Sequence, residues 1–319
     1  MKIVILDGYT LNPGDLSWEK FSAFGDVTVY ERTPADKSLE RIGDAPIIIT
    51  NKTPITMDIL DKAPHIQYIG VLATGYNVVD TKAARERNIT VTNIPSYGTA
   101  SVAQFVFALL LEMCHHVTAH GQSVKNGVWT SCSDFCFWNF PLIELAGKTM
   151  GVIGYGRIGQ AVSKIANAFG MSVLAFDRCQ NAASNGKDIR YADLDEVLSK
   201  SDIISLHCPL SEDTKELINK VSISKMKDGV MLINTSRGQL IHENDVAEAL
   251  HSGKIAGFAA DVLSSEPPEA ENPLLQSQNC LITPHIAWAP KEARARLMNI
   301  AADNLRAYIN GNPIHVVNG

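Results

Sequence analysis

The chain has 319 residues, 45% of them hydrophobic and 19% charged, with a formal net charge of −6. That length suits about two domains, each able to bury its own core. The acidic balance and the lack of a Lys/Arg-rich block argue against nucleic acid or an acidic membrane surface as partner.

The N-terminus, MKIVILDGYT, turns polar after a handful of apolar residues. That is too short for a signal-peptide core, and no 18-residue apolar span follows. The six cysteines are scattered, with Cys132 and Cys136 nearest to each other and no CxxC spacing. Free thiols in a reducing cytosol, and so a cytoplasmic location, are the simplest expectation.

Short apolar runs come first. KIVILDG (2–8), DVTVYER (26–32), PIIIT (46–50), IQYIGVLAT (66–74) and ITVTNIP (89–95) read as strands. Segments able to form helix lie between them, such as DTKAARERN (80–88), which Asp80 can cap. Alternation of this kind implies a mainly parallel sheet covered on both faces. Pro95-Ser96-Tyr97-Gly98 breaks the pattern, and a long helix is predicted over 99–117, with Ser101 and Gln104 spaced as a capping box. It is apolar on nearly every face from Val102 to Met113, as expected of a helix in a core or at a subunit interface, and the interface is favoured. His116 and His120 share a helical spacing, but no supporting carboxylate or thiol makes them a metal site.

The alternation resumes at 148. KTMGVIG (148–154), MSVLAFD (171–177), DIISLHC (202–208), GVMLINT (229–235), KIAGFAADV (254–262) and NCLITPH (279–285) read as six strands. Six parallel strands in this length match a doubly wound nucleotide-binding domain. The last segment, 289–311, reads as one amphipathic helix returning to pack on the first domain.

Within GVIGYGRIGQAVSKIANAFG (151–170), Gly154, Gly156 and Gly159 stand in G-x-G-x-x-G spacing. A strand leads in, and a helix leads out with Ile158, Ala161, Val162, Ile165 and Phe169 on one face. The first glycine then permits a tight turn, the second close approach to a pyrophosphate, and the third close helix–strand packing. Phosphates would sit on the helix N-terminus. Asp177 ends the next strand, where an acid bonds a ribose 2′-hydroxyl and repels a 2′-phosphate, so NAD(H) is favoured over NADP(H). Arg178 beside it is an ordinary surface charge or an adenine stacker.

Ligands of open α/β sheets bind beyond the carboxyl ends of the strands. Arg237, Glu266 and His285 fall at three such ends. Each has a plainer role available: surface cation, loop acid, core imidazole. Together they form a set suited to reducing a 2-oxo acid. The guanidinium fork grips a carboxylate, the imidazole protonates a carbonyl oxygen, and a carboxylate orients the imidazole and favours its charged form.

The segments LATGYNVVD (72–80), GVIGYGRIGQ (151–160), LHCPLSEDTKELIN (206–219), INTSRGQLI (233–241), AADVLSSEPP (259–268) and TPHIAWA (283–289) resemble the D-isomer-specific 2-hydroxyacid dehydrogenase family over essentially the whole chain. The resemblance implies Arg237, Glu266 and His285 as catalytic residues. It implies Ala73, Thr74 and Gly75 as the loop whose N–H groups hold the substrate carboxylate, alongside Arg237. Tyr155, Arg157 and Ile158 join the three glycines over the pyrophosphate. Asp177, His207, Cys208, Pro209, Thr214, Thr235, Ser236 and Asp261 complete the expected cofactor contacts, with Asp261 on the nicotinamide carboxamide.

The fold implied is a Rossmann coenzyme domain, residues 99–288, inserted into a flavodoxin-like substrate domain of residues 1–98 and 289–319. The active site would lie between the two. Homodimerisation through the coenzyme domains, using helix 99–117, is also implied. HIAW resembles the glycerate dehydrogenase (hydroxypyruvate reductase) branch, and Trp288 would narrow the pocket toward a short substrate such as hydroxypyruvate or glyoxylate. Packing at the domain junction is the plainer role for that indole. Pyruvate and 3-phosphohydroxypyruvate are alternative substrates, and a non-catalytic NAD(H)-sensing binding protein is the reading from another class.

Overall fold

The computed structural model describes residues 1–178 and 189–319. The chain forms two compact units, one of residues 1–98 with 288–319 and one of 99–287. The boundary falls before Trp288, one residue earlier than the sequence reading puts it.

The first unit holds β1 (Lys2–Ile5), β2 (Asp26–Val29), β3 (Ile47–Thr50), β4 (Tyr68–Val71) and β5 (Thr90–Thr92). They form one sheet in the order β2-β1-β3-β4-β5, with every pairing parallel. This is the flavodoxin-like order. β3 and β4 are buried at every residue, as the inner strands of a two-sided sheet must be, while edge strand β2 is largely exposed. Asp80 caps helix Thr81–Glu86 by accepting the Ala83 N–H at 2.9 Å. Helix Lys291–Ile309 buries Leu297, Ala301 and Leu305 in the same core as Ile3, Ile47 and Tyr68. Beyond β1, the buried Asp7 carboxylate accepts the N–H groups of Asn51, Lys52 and Thr53, gathering the loop after β3.

The second unit holds β6 (Thr149–Ile153), β7 (Ser172–Phe176), β8 (Ile189–Tyr191), β9 (Ile203–Leu206), β10 (Val230–Asn234), β11 (Ile255–Ala260) and β12 (Cys280–Ile282). The order is β12-β11-β10-β9-β6-β7-β8, again all parallel. The chain runs outward from β6 through β7 and β8, then restarts on the other side with β9. The switch point therefore lies between β6 and β9, where such sheets open a ligand crevice. β8 has no counterpart in the sequence reading. It is a three-residue edge strand with an exposed Arg190, so no apolar run announces it.

Helices Leu194–Lys200, Lys220–Lys225 and Glu243–Ser252 feed one core cluster. Helices Thr99–His115 and Arg157–Ala168 feed the other. Fully burying a Leu or Val contributes about 1.5–3 kcal/mol, so these two clusters are what hold the sheet's rim in place.

The long helix differs from expectation in three ways. It begins at Thr99, so Ser101 lies buried inside its first turn and is no N-cap. It ends at His115, because His116 turns left-handed (φ 48°) and a second helix, Val117–Lys125, leads away at 56°. Its apolar side chains, Val106, Phe107, Leu109 and Leu110 among them, are spent on the core of their own unit. The helix after the glycine loop buries Gly159, Val162, Ser163 and Ala166, while Phe169 stays partly exposed at its end, stacked on Phe107 at 5.3 Å. Among the described residues no single helix is long and apolar enough to cross a membrane.

Candidate active site

The glycine loop joins β6 to helix Arg157–Ala168. Gly154 has φ 95°, and a Cβ there would lie 2.3 Å from the Cys208 nitrogen. The turn after β6 thus packs onto the turn after β9, at the switch point. A Cβ on Gly159 would lie 2.2 Å from the Gly154 carbonyl oxygen. Gly156 differs: a Cβ there meets nothing within 4 Å. Two glycines are demanded by the protein's own packing and the third faces open space, as a backbone that a pyrophosphate approaches must.

The expected cofactor residues divide into two groups. Several are already engaged. Asp177 accepts the Tyr155 N–H at 2.6 Å, so its carboxylate also braces the loop. The Tyr155 ring is buried edge-on to Tyr191. The Thr214 hydroxyl donates to the Pro209 carbonyl (2.7 Å) and accepts the Ser211 N–H (2.8 Å), closing its own turn. The Ser236 hydroxyl donates to the Cys208 carbonyl at 2.7 Å. The His207 ring contacts the Ser205 hydroxyl at 2.9 Å, and burial pushes its pKa down to about 4. Burial pushes the Cys208 thiol up to about 11. Thr235 stands apart, because its buried hydroxyl has no partner among the described residues. A buried hydroxyl without a partner and an open glycine cradle both fit a dinucleotide.

Arg237, Glu266 and His285 follow β10, β11 and β12, three neighbours at one side of the sheet. Buried Asn234 shapes the first turn: its amide donates to the Arg237 carbonyl (2.8 Å) and its oxygen accepts the Ser236 N–H (3.1 Å). The exposed Arg237 guanidinium donates to the Ser236 carbonyl at 2.7 Å. At Gly238 a Cβ would lie 1.9 Å from the Leu263 carbonyl carbon, so the Arg237 turn backs directly onto the loop that carries Glu266. Glu266 accepts the Leu263 N–H on Oε1 (3.2 Å) and meets His285 Nδ1 with Oε2 (2.7 Å). A carboxylate can only accept, so Nδ1 carries the hydrogen of this contact, and Nε2 is the other ring atom able to exchange a proton. Both side chains are more than a third exposed, 36% and 39%. The pair's worth is therefore orientation rather than stability.

Asn234 escapes sequence reasoning. The signal for it is a lone amide ending an otherwise apolar strand. Asp261 is expected from the sequence to contact the cofactor, yet its buried carboxylate already accepts three hydrogen bonds from the His285 turn.

In the first unit, the 73–75 loop is tied to β5 and the residues after it. The Thr74 hydroxyl donates to the Ile94 carbonyl, the Asn93 amide donates to the Thr74 carbonyl (2.7 Å each), and the Ile94 N–H donates to the Ala73 carbonyl (3.0 Å). Gly75 is half-buried. Asn93 is the unforeseen residue here. Trp288 packs edge-on to Tyr97 at 6.4 Å and against this unit's core, which is its plainer role.

His120 Nδ1 lies 2.9 Å from the His116 carbonyl and its Nε2 accepts the Asn139 N–H (3.1 Å), so that ring closes the helix end. Among the described residues no group of three or more His, Cys, Asp or Glu could hold a metal ion. Cys179 lies outside the described residues, and the other five cysteines are free.

Comparison with known proteins places this geometry. Residues 107–287 match the family described as D-isomer specific 2-hydroxyacid dehydrogenase, NAD binding domain. The chain is 57% identical, over 100% of both chains, to a hydroxypyruvate reductase of Blautia hydrogenotrophica. It is 38% identical to a glycerate dehydrogenase of Methylorubrum extorquens, covering 99% of this chain and 98% of that one. A solved D-lactate dehydrogenase from Aquifex aeolicus, complexed with NAD and lactic acid, superposes with a TM-score of 0.85 at 29% identity over 99% of each chain.

Proposed function

Since the chain belongs to the D-isomer specific 2-hydroxyacid dehydrogenase family, we propose that it is an NADH-linked reductase of hydroxypyruvate, giving D-glycerate. The 2.7 Å contact between His285 Nδ1 and Glu266 Oε2, on loops backed by the Arg237 turn, is the observation that carries the reading.

The residues act as follows. Arg237 grips the substrate carboxylate and polarises the neighbouring carbonyl. NADH, when bound by Gly154, Gly156, Gly159, Thr235 and the loops after β7 and β9, supplies the hydride that the carbonyl carbon gains. His285 Nε2 gives its proton to the carbonyl oxygen, and Glu266 stabilises the imidazolium before that step. The imidazole is reprotonated from solvent, and D-glycerate and NAD⁺ leave.

Two features favour NADH over NADPH. Asp177 places a carboxylate at the end of β7, where a 2′-phosphate would be repelled. The adjacent cation, Arg178, is paired with Asp213 at 2.8 Å. A second subunit would cover Val117, Trp129, Phe135, Trp138 and Leu142, which are exposed apolar side chains. The helix Thr99–His115, which gives several apolar side chains to the core of its own unit, is the other candidate surface. Sedimentation of Phe135→Asp and Trp138→Asp variants as monomers, against a dimeric parent, would support the first of these. A cytoplasmic site of action accords with free, unpaired thiols.

The deciding experiment follows NADH absorbance with hydroxypyruvate, glyoxylate, pyruvate and 3-phosphohydroxypyruvate, with NADPH in parallel. Hydroxypyruvate with NADH should give the highest kcat/KM. Preference for another acid would move the substrate and keep the reaction. NADH binding without turnover of any acid would sink the enzymatic reading.

A further inference from the structure

Asp261 follows β11 directly and is 1% exposed. Three donors converge on its carboxylate. The Thr283 hydroxyl (2.6 Å) and the Ile286 N–H (2.8 Å) reach Oδ1, and the Ala287 N–H (2.7 Å) reaches Oδ2. The donors flank His285 on both sides in the chain. His285 has φ 53°, a left-handed conformation that crowds any residue with a Cβ. Its own N–H donates back to the Thr283 carbonyl at 3.0 Å, closing the turn.

We infer that Asp261 is a positioning residue for the acid/base, acting through the backbone of the 283–287 turn. The inference rests on the role proposed above for His285. Two anchors then fix the imidazole: Asp261 sets where its backbone stands, and Glu266 sets how its ring is turned. Neither suffices alone. Glu266 meets Nδ1, and a ring held through its side chain still shifts if its main chain relaxes from the left-handed region. The Ile286 and Ala287 N–H groups need a buried acceptor with several lone pairs, which a carboxylate provides and an amide provides only in part. Burial pushes the Asp261 carboxyl above its usual range, and the donors from Thr283, Ala287 and Ile286 oppose that shift. A contact to the nicotinamide carboxamide is the competing role for this carboxylate, and it has a different signature.

Asp261→Asn keeps the shape and turns one acceptor into a donor facing an N–H group. Two readouts test it. Amide hydrogen exchange, followed by NMR on the cofactor-free protein, should quicken by roughly 100-fold at whichever of Ile286 and Ala287 faces the new amide nitrogen. In turnover at saturating NADH, kcat should fall by roughly 100-fold, within the range set by one positioned acid/base. The NADH dissociation constant, read by fluorescence titration, should change less than about threefold. Weakened NADH binding with unchanged kcat and unchanged exchange would overturn the inference and leave Asp261 as a carboxamide contact. Thr283→Val guards against a misfolded Asn variant. It removes one donor, and kcat should drop by about threefold to tenfold, the worth of one hydrogen bond, with NADH affinity intact. An unchanged kcat there would count against the clamp. Parent protein without oxo-acid turnover, yet with slow exchange at Ile286 and Ala287, would instead fault the proposed reaction while leaving the clamp in place.

Discussion

The carboxyl rim of the seven-stranded sheet has two halves built on opposite rules. Around β6, β7 and β9 the rim is made of backbone and missing side chains. Gly154 and Gly159 let main chain touch main chain, and Gly156 leaves a gap. Around β10, β11 and β12 the rim is made of side chains held by other side chains: Arg237 on a turn shaped by Asn234, and His285 turned by Glu266. The first half holds a ligand by what it lacks, so adding an atom should disable it. The second half does chemistry with what it presents, so removing an atom should disable it.

The largest effect belongs to the second half. His285→Ala should lower kcat by roughly a thousandfold, the scale of a lost general acid. NADH affinity should stay within about threefold, because the glycine half is untouched. Single-turnover kinetics with a fluorescence titration check both numbers. Near-normal turnover would mean that another group supplies the proton.

Glu266→Gln comes next and separates orientation from charge. The amide oxygen can still accept from Nδ1, so the ring stays placed while the charge that favours the imidazolium is gone. A loss of roughly 100-fold in kcat is expected, with little change in melting temperature because the pair is over a third exposed. A large fall in stability would contradict the view of this contact as an orienting device.

On the glycine side, Gly156→Ala should fold normally, since its φ of −74° suits alanine and the new methyl meets nothing. It should raise the NADH dissociation constant by at least about tenfold, because the methyl would occupy the ligand's side of the loop. Gly159→Ala should behave in the opposite way and lose stability, since its methyl would overlap the Gly154 carbonyl. If both variants lost only stability, the open space at Gly156 would not be a ligand cradle.

How much of this was legible in the sequence follows from the same contrast. Motif-bearing parts were readable: the glycine spacing, Asp177 at a strand end, and Arg237, Glu266 and His285 each just past an apolar run. The parallel character of both sheets follows from alternating strands and helices. What stayed hidden depends on contacts between distant residues. Nothing near Asp261 in the chain says that its carboxylate collects the N–H groups of Ile286 and Ala287. Asn234 and Asn93 read as ordinary polar positions until their amides are seen bracing the Arg237 turn and the Thr74 loop. The helix break at His116 needed the ring of His120, folded back on the preceding carbonyls. β8 escaped because an edge strand of three residues needs only one partner and no apolar run.

The smallest effect sharpens the comparison through its two histidines. His207 stands on the glycine side, next to the Cys208 backbone that packs against Gly154. Burial holds its pKa at about 4 in the folded protein, below the ordinary 6.5. On acidification the unfolded chain therefore takes up this proton first. Stability contributed by the neutral ring is whole above about pH 6.5, declines below it, and is lost near pH 4. His207→Gln should flatten that acid limb in melting curves between pH 7.5 and 4.5. It should leave the pH dependence of kcat between 6 and 9 unchanged, because a ring that stays neutral there has no proton to give. His285 is the histidine proposed above to exchange a proton with the substrate. A shift of the kinetic profile on changing His207 would show that the two halves of the rim share a titrating group, and the division between them would fail.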